Sequence, residues 1–277
     1  MTPRQRLLRR AGLAAAGVGL FLACTYLFLP TQAVNELIGR LLADQGLSLA
    51  PGAHKTLLPG LAWRQPVLSS DQGPLVRFDR LTARLHLLPL LTGRAVVGLT
   101  AALGAGRLDL EYGINGTDAL DLSADGLQLS DVPFFKTALG ATAGGALWSE
   151  GRLSRKRGRL SGDLKLEVKQ LAFSGVKLGA FPLPDTSNLH CQGMVRVTGG
   201  RARLESFSLQ GDGIYMRLSG DLPNAATLPI NLTLEIMPKP EFMDKQKLVF
   251  LLLAKFAASP GVYKVPIRGT LLKPVIL

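Results

Sequence analysis

Cysteine is nearly absent: the 277 residues contain two, Cys24 and Cys191. Cys24 sits in an apolar segment that reads as membrane-embedded, and Cys191 lies far downstream. The two fall on different sides of an interface, so no intrachain disulfide is expected and the fold must rest on core packing alone. Histidine is also scarce. The three, at positions 54, 86 and 190, are scattered with no metal-ligand spacing. Aromatics make up 6% and never interleave with a basic run, so the formal net charge of +12 does not indicate nucleic acid. No Gly-x-Ser-x-Gly is present. His190 and Cys191 are adjacent, and neighbours in a strand point to opposite faces, so they cannot pair as base and nucleophile. Gly104-Ala105-Gly106 leads into a strand and reads as a turn, not a phosphate cradle. No catalytic, cofactor-binding or metal-binding residue is assigned, and the chain is not expected to be an enzyme.

One long apolar run exists. Ala11 to Leu29 carries no charge and is closed by Pro30. At helical rise it spans roughly 28 Å, close to the hydrocarbon thickness of a bilayer. Residues 1–10 form a basic tail with Arg4, Arg6, Arg9 and Arg10, which hold the N-terminus in the cytoplasm. Everything after Pro30 is then expected outside it. Tyr26 suits the outer interface. A cleaved signal peptide would have a shorter apolar core and a small-x-small site, and neither is found. A lipoprotein signal ending at Cys24 fits poorly, because the apolar run continues past it. The later run Leu248–Leu253 is too short to span and is framed by Lys247 and Lys255. Setting the four N-terminal arginines aside leaves +8 of the +12 on the exported part, which suits an anionic membrane surface or acidic partners.

Beyond the anchor, residues 31–46 read as a membrane-proximal helix, with Val34, Leu37, Ile38, Leu41 and Leu42 on one face. The period then changes to two. Leu108, Leu110 and Tyr112 alternate with Arg107, Asp109 and Glu111; Leu164, Leu166 and Val168 alternate with Asp163, Lys165, Glu167 and Lys169. Leu120 and Leu122 are separated from Leu127 and Leu129 by Asp125-Gly126, and Gly199-Gly200 reads as a tight hairpin. Two further helices are predicted. Asp131 to Gly140 is read as capped by Asp131, with Pro133 in its first turn. Glu241 to Ala258 is read with Phe242, Leu248, Leu251, Leu252 and Phe256 on one side. The expected fold is mainly β: an elongated, curved antiparallel meander with a few short helices over residues 50–277, preceded by one N-terminal transmembrane helix. Loop-like sequence at Thr137–Trp148 and Ser174–Asn188 suggests halves at 50–140 and 145–277, with no repeat of fixed period.

One charge cluster stands out: Arg152, Arg155, Lys156, Arg157 and Arg159. It is read either as a contact for an anionic surface (lipid head groups or an acidic partner) or as a solvated hairpin tip turning at Lys156-Arg157-Gly158. The hairpin tip is the preferred reading.

Several segments, in order, resemble a known family. They are Pro59-Gly60-Leu61-Ala62-Trp63, Leu88-Pro89-Leu90-Leu91-Thr92-Gly93-Arg94, Asp125-Gly126-Leu127-Gln128-Leu129, Gly162-Asp163-Leu164-Lys165-Leu166 and Leu178-Gly179-Ala180-Phe181-Pro182-Leu183-Pro184. The last and most specific is Tyr263-Lys264-Val265-Pro266-Ile267-Arg268-Gly269-Thr270-Leu271-Leu272-Lys273-Pro274. Together they resemble the type II secretion system protein N family (GspN), and the closing Gly-Thr-Leu-x-x-Pro strand resembles that of AsmA-like envelope proteins. The resemblance implies a non-catalytic, single-pass inner-membrane subunit of a Gram-negative cell. Its main domain would face the periplasm and support export of folded proteins across the outer membrane. Its partners would be inner-membrane lipid and other secretion subunits, in the inner membrane or the secretin. The AsmA-like ending implies the alternative, a β-groove protein that binds or transfers lipid between envelope membranes.

Overall fold

The computed structural model describes residues 30–276 apart from 57–58, 91 and 179–180, and before them only Gly17, Tyr26 and Phe28. These three are helical, but the expected anchor at 11–29 and its arginines Arg4, Arg6, Arg9 and Arg10 otherwise lie outside the described residues. Among the described residues no helix is long and apolar enough to cross a membrane.

The alternating segments form one antiparallel sheet of 15 strands. From its N-terminal edge it runs through β2 (His54–Lys55), β3 (Gly60–Arg64), β6 (Arg80–Leu85), β7 (Val96–Leu103), β8 (Gly106–Gly113), β9 (Asp118–Gln128) and β10 (Thr142–Lys156). It continues through β11 (Arg159–Ser174), β14 (Thr186–Thr198), β15 (Arg201–Gly211), β16 (Ile214–Leu222), β17 (Asn231–Pro238), β19 (Val262–Gly269) and β18 (Ala257–Ser259), with β20 (Pro274–Ile276) also paired to β19. Most neighbours are consecutive in the chain, as a meander requires. The expected division into halves does not interrupt the sheet, because β10 pairs β9 on one side and β11 on the other. Both edges end in strands of two or three residues, which leaves little unpaired backbone to recruit another chain.

Two smaller β pieces lie off this sheet. A three-stranded sheet joins β1 (Leu47–Ala50), β4 (Val67–Ser70) and β5 (Gly73–Arg77), and a ribbon joins β12 (Lys177–Leu178) to β13 (Phe181–Pro182). The helices are α1 (Thr31–Ala43), α2 (Leu87–Leu90), α3 (Phe134–Leu139), α4 (Pro240–Lys245) and α5 (Lys247–Leu253).

The register places apolar side chains opposite one another strand after strand. One row passes from Trp63 through Leu81, Ala101 and Leu108 to Ala124. A bulge on β9 inserts one residue there, with Gly126 at φ 62°. That left-handed conformation favours glycine. The row resumes at Leu127 and continues through Leu147, Val168, Cys191, Leu209, Met216, Ile236 and Tyr263. The Asp125-Gly126 interruption read from sequence is therefore a bulge inside one strand. The Ala/Gly stretch at 143–146 is likewise part of β10 and holds a second register shift.

Different elements cover this face in each part. Ile38 of α1, Leu49 of β1, Val76 of β5 and Phe78 pack on the N-terminal cluster around Trp63 and Leu81. Asn35 fixes α1 to the sheet, accepting from the Ala53 amide at 2.9 Å and donating to its carbonyl at 3.2 Å. Only Val34, Ile38 and Leu42 of the predicted α1 face are half-buried; Leu37 and Leu41 are exposed. Phe135 and Leu139 of α3, and Phe242, Phe250 and Leu253 of α4 and α5, pack on the C-terminal cluster. Leu147 touches both clusters. Two helix readings need correction. Asp131 does not cap α3: it lies in a 3-10 turn, and Pro133 precedes the helix with no side-chain cap. The single helix expected at 241–258 is two short helices broken at Gln246 (φ −128°, ψ 42°), followed by a 3-10 turn.

Ile236 is 0% exposed at the centre of the row. Ile236→Ala is expected to cost about 2–5 kcal/mol in urea unfolding, whereas Asn231→Ala on the opposite face changes stability by less than about 0.5 kcal/mol.

Candidate functional site: an apolar face and its cavity

Strand alternation gives the sheet two unlike faces. The charged face is a lattice of cross-strand pairs, the arrangement that stabilises paired strands. Arg152 meets Asp121 at 2.8 Å, Arg196 meets Asp163 at 2.9 Å and Glu205 at 3.0 Å, and Lys264 meets Glu235 at 3.1 Å. Within β8, Arg107 donates to Asp109 at 2.6 Å. That bond holds the Asp109 carboxyl below its usual range; partial burial opposes it, and a bond from the Thr100 hydroxyl adds to it. The largest depression, about 770 Å³, lies on this face. Asp121, Asp125, Glu150 and Glu167 line it together with Lys165. Among the described residues no group of acids, histidines or cysteines is placed to hold a metal ion.

His190 is exposed on the charged face, 3.9 Å from Glu167, while Cys191 is fully buried between Val168 and Leu209. Burial pushes the Cys191 thiol up to about 12, so near neutral pH it remains the unreactive thiol.

The basic cluster is split by the fold. Arg152 is bound to Asp121. Arg155 donates to the Ile114 carbonyl at 2.9 Å and to the Tyr112 hydroxyl at 3.3 Å, with its guanidinium 5.9 Å from the Tyr112 ring centre. Lys156, Arg157 and Arg159 stand exposed at the β10–β11 turn, where Arg157 and Gly158 both have positive φ. The cluster is therefore a hairpin tip of three cations rather than a patch of five.

The apolar face is unevenly sealed. The row from Trp63 to Tyr263 is largely buried. The next row, with Leu99, Leu110, Leu122, Leu164 and Val195, is only half-buried. In the C-terminal part α3 and the residues Val176, Leu183 and Pro184 lie over the sheet and leave a partly open cavity of about 270 Å³. Its floor is Phe207, Leu218, Leu232 and Ile267, its roof includes Phe134, Leu139 and Leu183, and Thr186 supplies the one polar side chain in its lining. A small, almost wholly apolar hollow of this kind suits a hydrocarbon group, near the lower end of the size of small-molecule pockets. Sequence reasoning identified the apolar alternation but not the cavity, because its walls come from segments more than a hundred residues apart.

At the start of the sheet, the Tyr26 hydroxyl lies 2.8 Å from both the Thr56 and the Gly60 carbonyls and has one proton to donate between them, and Lys55 donates to the Tyr26 carbonyl at 2.8 Å. Leu85 donates to the Pro59 carbonyl beside them, and the exposed Leu87 and Leu88 of α2 follow directly.

Comparison with family models, with curated proteins and with solved structures finds no match to this chain.

Because Cys191 is sealed and protonated, its alkylation at pH 8 is expected to be at least about a hundredfold slower in the folded chain than in urea, followed by peptide mass spectrometry. Above pH 9 the unfolded thiol ionises while the folded one does not, so this group removes stability as pH rises from about 9 to about 12.

Proposed function

We propose that the chain is a non-catalytic, inner-membrane subunit of a type II secretion system, with its β domain in the periplasm, supporting export of folded proteins across the outer membrane. The observation that carries this reading is the one-sided sheet. An apolar face passes through 12 strands, from Trp63 to Tyr263, with one bulge at Gly126, beside a charged face on which arginines and lysines pair several of the carboxylates. Such a sheet is a large binding surface built for contact rather than for chemistry. Two of the segments that resemble the secretion N family lie on this framework: Gly162–Leu166 is in β11, and Tyr263–Pro274 runs from β19 to β20. The apolar run and arginines in the N-terminal sequence support an inner-membrane placement, and Tyr26 near the end of that run bonds to the edge of the sheet. Deleting the gene is expected to lower extracellular levels of secreted enzymes while their periplasmic precursors accumulate; unaltered secretion sinks the reading.

The cavity favours a second reading, in which the sheet binds or transfers envelope lipid. Its lining of leucine, isoleucine and phenylalanine gives an acyl chain the dry surroundings it needs. Lipid mass spectrometry of the full chain purified from detergent tests this. Copurifying phospholipid is expected, and Leu218→Trp, which fills the cavity from its floor, is expected to remove most of it. Equal lipid in both proteins, or none in either, counts against lipid binding.

A further inference from the structure

After Lys247, helix α5 carries only apolar residues, and they point both toward and away from the sheet. Phe250 and Leu253 point inward and are buried; the Phe250 ring lies 5.5 Å from Tyr263 and 6.1 Å from Phe242. Leu248, Leu251 and Leu252 point outward and are 78%, 72% and 50% exposed. Sequence periodicity grouped these three leucines on one side with Phe242 and Phe256, but past the break at Gln246 they face away from the sheet while Phe242 packs on it. A helix with apolar residues on both sides belongs where neither side meets water, so its outer face calls for a second apolar environment.

The surroundings of that face identify the environment. Lys239, Lys245, Lys247 and Lys255 flank it against two acids, Glu241 and Asp244, and Lys247 lies 3.5 Å from Asp244. Lysine is depleted at the centres of protein interfaces. At a lipid surface the same side chain extends its stem along hydrocarbon and keeps its ammonium among phosphates. The three leucines stand together on one short helix and are exposed, so they are free to enter an apolar boundary. We propose that α5 is a membrane-docking element. Leu248, Leu251 and Leu252 enter the acyl boundary of an anionic bilayer, and Lys245 and Lys247 hold its head groups. The placement has a consequence for the cavity. Phe242 and Lys245 line a depression of about 690 Å³ that shares Phe173 and Thr186 with the apolar cavity, so docking brings a mouth of the sheet's interior to the lipid surface. The inference goes beyond both functional readings and depends on neither.

Two single-tryptophan reporters test it, Leu251→Trp and Leu248→Trp, each at an outward position whose change leaves the core intact. The full chain is reconstituted in vesicles of phosphatidylglycerol and phosphatidylcholine. It is then read twice, once with bromine on the host acyl chains and once with unlabelled hosts and added brominated acceptor vesicles. In at least one arrangement the added tryptophan is expected to shift to shorter wavelength and lose most of its emission, relative to the wild-type background of Trp63 and Trp148. Brominated phosphatidylcholine acceptors without anionic lipid are expected to need at least about tenfold more lipid for the same effect. Solvent-like, unquenched emission from both reporters in both arrangements overturns the proposal. So does burial of the reporters only against a second protein molecule, seen as concentration-dependent cross-linking without quenching.

Discussion

The structure depends on one constraint: every strand must turn the same parity of residues toward the same side. Side chains alternate with period two, so a slip of one residue in any pairing would send that strand's leucines to water and its charges into the core. From Trp63 to Tyr263 the register keeps this parity through 12 strands. It can do so only because the irregularities are local. The extra residue at Gly126 is absorbed in a left-handed bulge, and the apolar row resumes one residue later. The Gly199-Gly200 turn, with φ of 63° and 85°, closes β14 onto β15 with Thr198 opposite Arg201, and a one-residue shift between Gln192 and Val195 is taken up inside the same pair before the row reaches Cys191 and Leu209.

The same parity disposes of the charges. A basic chain with alternating strands puts its cations on one face, and acids on the neighbouring strands meet many of them there. Arg196 meets two acids, Asp163 and Glu205, and they hold its guanidinium even more firmly charged than usual. Three exposed cations, Lys156, Arg157 and Arg159, stand together where β10 turns into β11. These pairs are solvent-exposed and contribute little stability each. Their effect is to keep one broad face wet and so to fix which face carries the apolar contacts.

Much of this was legible in the sequence. The strand pattern, the opposed directions of His190 and Cys191, and the turns at Gly104-Ala105, Arg157-Gly158 and Gly199-Gly200 follow from alternation and turn chemistry. The errors have physical causes. Asp125-Gly126 carries turn residues, but a bulge uses the same residues without reversing the chain. Asp131 has a capping side chain, yet the 3-10 turn that holds it leaves the helix to begin after Pro133. In Lys247–Leu253 nearly every residue is apolar, so periodicity contains no information about which side faces in. Only the break at Gln246 and the partners Phe242 and Tyr263 decide it. The cavity is not encoded in any window, because its floor is cross-strand and its roof comes from α3 with Val176, Leu183 and Pro184.

The uneven cover of the apolar face separates the two functional readings. A protein partner is recognised by an accessible surface, and the half-buried row of Leu99, Leu110, Leu122, Leu164 and Val195 offers one along the middle of the sheet. A secretion subunit needs no more than that. The hollow between Leu218, Ile267 and Leu139 is different in kind, since its lining offers almost nothing to a polar group. Apolar lining left open to solvent forgoes both dispersion contacts and the gain of burial, and a hydrocarbon chain laid on it recovers both. The secretion reading makes no use of that lining, whereas an acyl chain covers it. Whether lipid fills the cavity is thus the point at which the two readings make different demands on the same residues.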